Sequence, residues 1–365
     1  MSRLLSTVSA ITFIAGTYAS ADIPKVVADI APIHSLVSRV MDGVGEPKLT
    51  VPNETSPHDY RLRPADAEAI ENANLVFWMG EGLTPWMERA LEALSNDTDI
   101  IEFLALEEST LLSFREGALF EAHDHSDHDD HDKDHDDHDD HDDHDKDHDD
   151  HDDHDDHDKD HDDHDDHDDH DKDHDDHDDH DDHDDHDDHA GHDHGEYDPH
   201  AWLSTNNAKT WLNVIAARLS SIDPDNAGAY FANASEARGE MDALDVEINT
   251  MLDPVRGGKF VVFHDAYQYF ETVYDFPASG AISLGDASDP SAARVAEIAN
   301  RIKSENIACV LSEPQFNAGL VKTVMGGTDA TTEVIDPLGF GIEPGKSLYP
   351  KLIRAMAQSL VNCLK

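Results

Sequence analysis

Few histidines lie outside one low-complexity segment of the chain. Of the 28 histidines, 24 fall between residues 123 and 194, and the others are His34, His58, His200 and His264. The last three stand in loop-like contexts beside predicted strand ends, in SPHDY, DPHAW and VFHDAY, each with an aspartate close by. Zinc sites commonly use three imidazole nitrogens, with carboxylates that orient the rings. The pattern therefore predicts a three-histidine zinc site, and the alternative is three unrelated histidines that make only local hydrogen bonds.

The low-complexity segment, residues 123–194, is called here the His/Asp tract. It repeats HDKDHDDHDDHDD with a 13-residue period and carries most of the net charge of −57. It has almost no apolar residues to offset the entropy of ordering its backbone, so we expect it to be disordered. Its charge argues against nucleic-acid partners and favours cations. The tract is predicted to supply weak accessory zinc sites, or alternatively only to solubilise the chain; the candidate ligands are His123, His125, His128, His131, His192 and His194.

The first 21 residues have the pattern of an export signal. Arg3 precedes a short apolar run that ends near Gly16, and Ala19-Ser20-Ala21 matches an A-x-A cleavage site. The apolar run is too short to cross a bilayer. We therefore expect cleavage before Asp22 and an exported, soluble, periplasmic protein, with a retained N-terminal anchor as the alternative.

The rest of the sequence alternates short apolar runs with helical patterns. Strands are predicted in KVVADI, EPKLTV, LVFWMG and DIIEFL before the tract, and in KFVVFH, IACVLSE and TTEVID after it, with helices between most of them. Such alternation predicts parallel sheets flanked by helices. Ligand sites of these folds lie beyond the carboxyl ends of the strands and between domains.

One long helix is predicted to join two lobes. Asp223-Pro224 is a helix start, and apolar side chains recur at alternating spacings of four and three up to Met251. The predicted organisation is an α/β lobe over residues 22–222, which contains the tract, a linking helix over 223–252, and a second α/β lobe over 253–365. Cys309 and Cys363 are the only cysteines, and in an oxidising compartment a disulfide is favoured over a metal pair.

Several long segments together carry a family resemblance. The segments are PHDYRLRPADAEAIENANLVFWMG, YDPHAWLS, GKFVVFHDAYQYF, ACVLSEPQF and VIDPLG, in this order and around a His/Asp-rich insertion. With them the chain resembles the zinc-specific substrate-binding proteins of bacterial ABC importers, the ZnuA type within the cluster A-I metal receptors. The resemblance implies two α/β lobes joined by a long helix, with zinc bound between the lobes. It also implies a disulfide between Cys309 and Cys363.

The resemblance assigns ligand roles residue by residue. His58 and His200 match the ligands of the N-terminal lobe, and His264 matches the ligand of the C-terminal lobe. For the fourth position, which in this family is a carboxylate or water, Asp336 in VIDPLG is the first candidate and Glu313 in SEPQF the second. The resemblance does not mark His34 as a ligand, so we expect it to be bonded locally.

The predicted function is therefore high-affinity capture of Zn²⁺ and its delivery to an inner-membrane ABC permease with a cytoplasmic ATPase. A monomer is expected, and a metallochaperone is a further candidate partner. The alternatives are a manganese or iron receptor of the same family and an extracellular zinc buffer or adhesin. Related manganese and iron receptors carry a carboxylate where this chain has His264, and three nitrogens favour zinc over manganese. A zinc hydrolase is less favoured because the sequence has no H-E-x-x-H or G-x-S-x-G motif.

Overall fold

A computed structural model describes most of the chain outside the tract. The described residues are 23–58, 60–95, 98–115, 120, 196–283, 290–316 and 318–365. The predicted export signal, the His/Asp tract with its six candidate ligands, and Asp59 lie outside the described residues. No helix within the described ranges is long and apolar enough to cross a membrane.

The N-terminal lobe is built on a parallel four-stranded sheet. Its strands are β1 (Val26–Ala28), β2 (Lys48–Leu49), β3 (Leu75–Trp78) and β4 (Asp99–Glu102), in the order β2-β1-β3-β4. Its helices are α1 (Ala31–Val40), α2 (Pro64–Glu71) and α3 (Pro85–Leu94). The central strands β1 and β3 are buried along their whole length, which explains why they are continuous apolar runs. The sequence patterns predicted all these elements except α3.

Two helices follow the tract. Helix α4 (Thr205–Ile222) is capped by Ser204, whose side chain accepts a hydrogen bond from the backbone N–H of Asn207. A short 3₁₀ turn then leads into α5 (Ala227–Leu252). The 26 residues of α5 span about 39 Å at 1.5 Å per residue, and the helix contacts both α1 and the C-terminal helix. It is the predicted joining helix.

The C-terminal lobe repeats the architecture of the first. Its strands are β5 (Phe260–His264), β6 (Ala281–Ser283), β7 (Cys309–Ser312) and β8 (Thr331–Val334), all parallel, in the order β6-β5-β7-β8. Its helices are α6 (Gln268–Tyr274), α7 (Ala292–Ser304), α8 (Ala318–Val324) and α9 (Leu348–Leu364). Strand β6 and helix α8 were not predicted. The two-lobed α/β fold class is confirmed.

A disulfide fastens the last helix to the second sheet. Cys309 at the start of β7 is bonded to Cys363 near the end of α9, with the two Cα atoms 5.5 Å apart. The predicted pairing is confirmed. On the chain-entropy model, closing a loop of this length stabilises the fold by up to about 4 kcal/mol.

The two lobes share one apolar core. Its buried residues run from the first sheet through α4 and α5 to the second sheet and α9. Polar contacts also cross between the lobes: the Asn53 side chain donates to the backbone carbonyls of Gly339 and Ile342, and the Trp202 indole donates to Pro337 O at 2.8 Å. Smaller apolar clusters cover the outer face of each sheet.

Candidate metal centre

The candidate ligands come from both lobes. His264 is the last residue of β5, and Glu313 directly follows β7. His200 stands just before the short 3₁₀ turn that leads into α4, and His58 lies in the loop between β2 and α2. The carboxyl ends of parallel strands meet at one edge of a sheet, so the fold brings His264 and Glu313 together.

His200 and His264 face each other through their Nε2 atoms, which are 3.4 Å apart. Two nitrogens bound to one tetrahedral zinc at 2.0–2.1 Å are about 3.3–3.4 Å apart, so this separation suits a single ion between them. Both residues are buried, with 6% and 3% of their surface exposed. The pair can therefore bind an ion with little solvent contact.

A carboxylate lies behind each of these two rings. Nδ1 of His200 is 2.7 Å from Asp198 Oδ1, and Nδ1 of His264 is 2.6 Å from Glu313 Oε1. Because an ionised carboxylate only accepts, Nδ1 of a neutral ring donates and the lone pair stays on Nε2. Asp198 Oδ1 also accepts from the backbone N–H of His200 at 2.9 Å, which fixes the residue further.

His58 is the outer member of the group. Its ring centroid is 5.9 Å from that of His200, and its side chain is half-buried. Among the described residues no three His, Cys, Asp or Glu side chains are yet arranged closely enough to hold a metal ion. His58 as a third ligand stays a prediction.

A small cavity lies between these rings. It has room for about one water-sized sphere, about 10 Å³, which is also room for one metal ion. Pro57, Trp202, Phe316, Pro337 and Leu338 form the apolar part of its wall. The lining residues are Ser56, Pro57, His58, His200, Trp202, His264, Glu313, Gln315, Phe316, Pro337 and Leu338.

The two candidates for the fourth ligand have different surroundings. Glu313 is buried, lines the cavity and bonds His264. Asp336 is not among the lining residues; its Oδ1 accepts from the Gln315 amide at 2.9 Å and from Leu338 N–H, and its Oδ2 accepts from Phe340 N–H. Asp336 as a ligand stays a prediction.

The fourth histidine of the described residues is bonded locally. His34 lies on α1, and its Nε2 is 3.1 Å from Pro47 O. Burial lowers the pKa of its imidazole, so the neutral form is favoured. Trp202, Gln315 and Phe316 lie in the motif segments YDPHAWLS and ACVLSEPQF, but only the folded chain shows that they line the cavity.

The comparisons with known proteins show which family the chain belongs to. The family model described as zinc-uptake complex component A, periplasmic, matches residues 26–363. The chain belongs to this family. It is 42% identical over 367 residues to the high-affinity zinc uptake system protein ZnuA of Brucella abortus strain 2308, covering 100% of this chain and 99% of the relative. The ZnuA protein of Paracoccus denitrificans is also 42% identical, over 95% of this chain and 93% of its own.

Solved structures show the shared fold. A crystal structure of ZnuA superposes with a TM-score of 0.64 at 20% identity, covering 94% of this chain and all of that one. The mutant structure of the laminin-binding adhesin Lmb from Streptococcus agalactiae gives the same TM-score at 18% identity, with coverages of 94% and 100%. At these identities the likeness concerns the fold alone.

Proposed function

We propose that this chain is the zinc-binding receptor of an ABC importer. It captures Zn²⁺ in the cavity between its lobes and delivers the ion to an inner-membrane permease for uptake. The observation that carries the proposal is the pair of buried Nε2 atoms of His200 and His264, 3.4 Å apart, with an oriented ring on each lobe. Family membership supports the same cargo.

Capture proceeds on neutral imidazoles. The ion first meets the Nε2 atoms of His200 and His264, and inward movement of the loop that carries His58 supplies the third nitrogen. Because protons compete with zinc for the same nitrogens, binding should weaken as the pH falls through the range in which histidine is protonated. Three nitrogens favour zinc over manganese, whereas Cu²⁺ and Ni²⁺ must be excluded by geometry and supply.

The fourth position is proposed for Asp336, with Glu313 as the competing candidate and water as the third. Support for Asp336 comes from the resemblance, and its present hydrogen bonds would have to break. Glu313 already lies in the cavity wall, but it holds the His264 ring. Asp336→Asn and Glu313→Gln, each titrated with zinc, separate the two: loss of a ligand costs more affinity than loss of a ring partner.

The remaining features are consistent with transport rather than catalysis. We propose that the chain is not an enzyme, since the described residues at the site offer no obvious general base besides the possible ligands themselves. Residues 1–21 are proposed to direct export to the periplasm, where the receptor acts as a monomer, with a metallochaperone as a further partner. The His/Asp tract is proposed to hold additional zinc weakly near the site.

Calorimetric zinc titration of a chain that lacks residues 123–194 tests the proposal. We expect one tight site, which the combined substitutions His58→Ala, His200→Ala and His264→Ala abolish. His34→Ala is the matched control and should leave the tight site intact. Loss of tight binding on deletion of the tract alone would instead make the tract the metal-binding element. Stimulation of the permease ATPase by the zinc-loaded chain would separate an importer receptor from a zinc buffer.

A further inference from the structure

Two short segments flank the His/Asp tract in the sequence, and both are described by the structure. They are residues 111–115 before the tract and residues 196–198 after it, called here the two stems. Ser113 and Tyr197 form an isolated antiparallel bridge, and the backbone N–H of Asp198 donates to Leu112 O at 2.8 Å. The stems are therefore bonded to each other.

Both stems are also tied to helix α6 of the C-terminal lobe. The Tyr269 hydroxyl accepts from Leu112 N–H at 2.9 Å and donates to Asp198 O at 2.8 Å, so one side chain joins both stems. The Gln268 amide donates to Ser113 O at 2.9 Å. Tyr269 is buried, with 2% of its surface exposed, so these bonds are little weakened by water.

Arg115 adds an ionic contact at the same place. Its guanidinium donates to Glu271 at 2.6 Å and to Asp265 at 3.0 Å through Nε, with a further close contact to Asp265. The Phe120 ring covers the guanidinium at 3.6 Å from its centroid. Both carboxylates are almost fully buried, and burial raises the pKa of each while Arg115 opposes that rise. Removing Arg115 would leave two buried acids without their counter-charge.

Each stem has a contact close to one of the two histidines. Asp265, the partner of Arg115, is the residue after His264. Asp198, whose carbonyl bonds Tyr269, uses its carboxylate to hold the His200 ring. The contacts of the stems therefore reach the residue next to His264 and the carboxylate behind the His200 ring.

We propose that the two stems act as a bracket that holds the His200 and His264 rings together, and that Arg115 is its main positioning residue. The inference rests on the proposed zinc-binding function. Release of the ion requires the two rings to separate, and the bracket opposes that separation. The bracket therefore sets the rate of zinc release more than the rate of capture.

The test measures zinc release from the full chain into a competing chelator by stopped flow, after the weakly held zinc has been removed. Arg115→Met should release the tightly bound ion about tenfold faster. Substitution of residues that orient metal ligands typically changes metal affinity about 10–100-fold, and the expected effect lies at the lower end of that range. Arg115→Lys keeps the positive charge but cannot form bidentate hydrogen bonds, so we expect a release rate between those of the unmodified chain and Arg115→Met. Arg354→Met, which breaks the exposed ion pair with Glu247, is the control and should not change the rate.

An unchanged release rate in Arg115→Met, even with a lowered unfolding temperature, would show that Arg115 only stabilises the fold and would overturn the inference. Should that variant fail to fold, Gln268→Ala carries the test, because it removes the bond to Ser113 and should also speed release. His264→Ala separates the two proposals. If it still binds zinc tightly, the proposed site itself is wrong, whatever Arg115 does.

Discussion

At the residue scale, the orientation of the rings matters as much as their identity. His200 and His264 each direct Nδ1 at a buried carboxylate and Nε2 at the other ring. The carboxylate selects the neutral tautomer whose lone pair faces the cavity, and it makes the nitrogen more basic. Asp198 and Glu313 therefore hold the two rings with Nε2 facing the cavity.

Asp198→Asn tests this preparation. An amide retains a similar shape but loses the negative charge that holds the His200 ring, so we expect zinc affinity to fall about 10–100-fold. A competition titration with a chelator of known affinity measures the change. Asp42→Asn is a suitable control, because Asp42 pairs with Lys346 on the surface. An affinity within about twofold of that of the unmodified chain would contradict the assigned role of Asp198.

At the scale of the elements, a buried carboxyl joins the ends of two strands. Asp29 directly follows β1; its Oδ1 accepts from Ile30 N–H and its Oδ2 from Met79 N–H, both at 2.7 Å. Met79 directly follows β3, so the side chain fixes the edge of the first sheet. Burial raises the pKa of Asp29 to about 7 in spite of the two backbone donors.

The raised pKa predicts a pH dependence of the stability. The folded chain holds the Asp29 proton more tightly than the unfolded chain does. The stabilisation that this proton gives is therefore present at about pH 4 and is lost as the pH rises towards 7. Asp29→Asn does not titrate, so its free energy of unfolding should lack this decline, which is on the order of 1.4 kcal/mol per pKa unit. Urea unfolding of both zinc-free proteins at several pH values measures the difference. If the free energy of unfolding changes with pH in the same way in both proteins, Asp29 is not the source of the pH dependence.

At the scale of the whole molecule, the two lobes are held in many places. Helix α5 contacts elements of both lobes, and the shared core continues across them. Asn53 and Trp202 add hydrogen bonds to the segment that follows β8. A wide hinge opening would break these contacts together, so we expect loops rather than lobes to move when zinc binds.

Small-angle scattering of the chain without residues 123–194 tests this expectation. The radius of gyration should be the same, within measurement error, with and without zinc. The triple-histidine variant provides the reference that cannot respond to the ion. A clear compaction of the histidine-containing chain on zinc binding would show that the lobes close and would rule out the loop mechanism.

The sequence alone determined the fold class, the joining helix, the disulfide and the identity of three candidate ligands. The helices and strands follow from periodicity and capping residues, the disulfide from the presence of only two cysteines, and the ligand assignment from the family resemblance. Short elements were harder to predict. β6 has three residues and α8 has seven, too few to show a clear hydrophobic period. Helix α3 did carry a usable signal, since Pro85 begins it and Met87 and Leu91 share its buried face.

Only the tertiary structure decided how these residues meet. The Nε2 contact joins residues 64 positions apart, and the Arg115 pairs join residues 150 or more positions apart. Such contacts depend on how two sheets and α5 pack, which no local pattern records. The sequence therefore named the candidate ligands, whereas packing decided which nitrogen faces the cavity, which carboxylate lies behind it and which acidic residues Arg115 contacts.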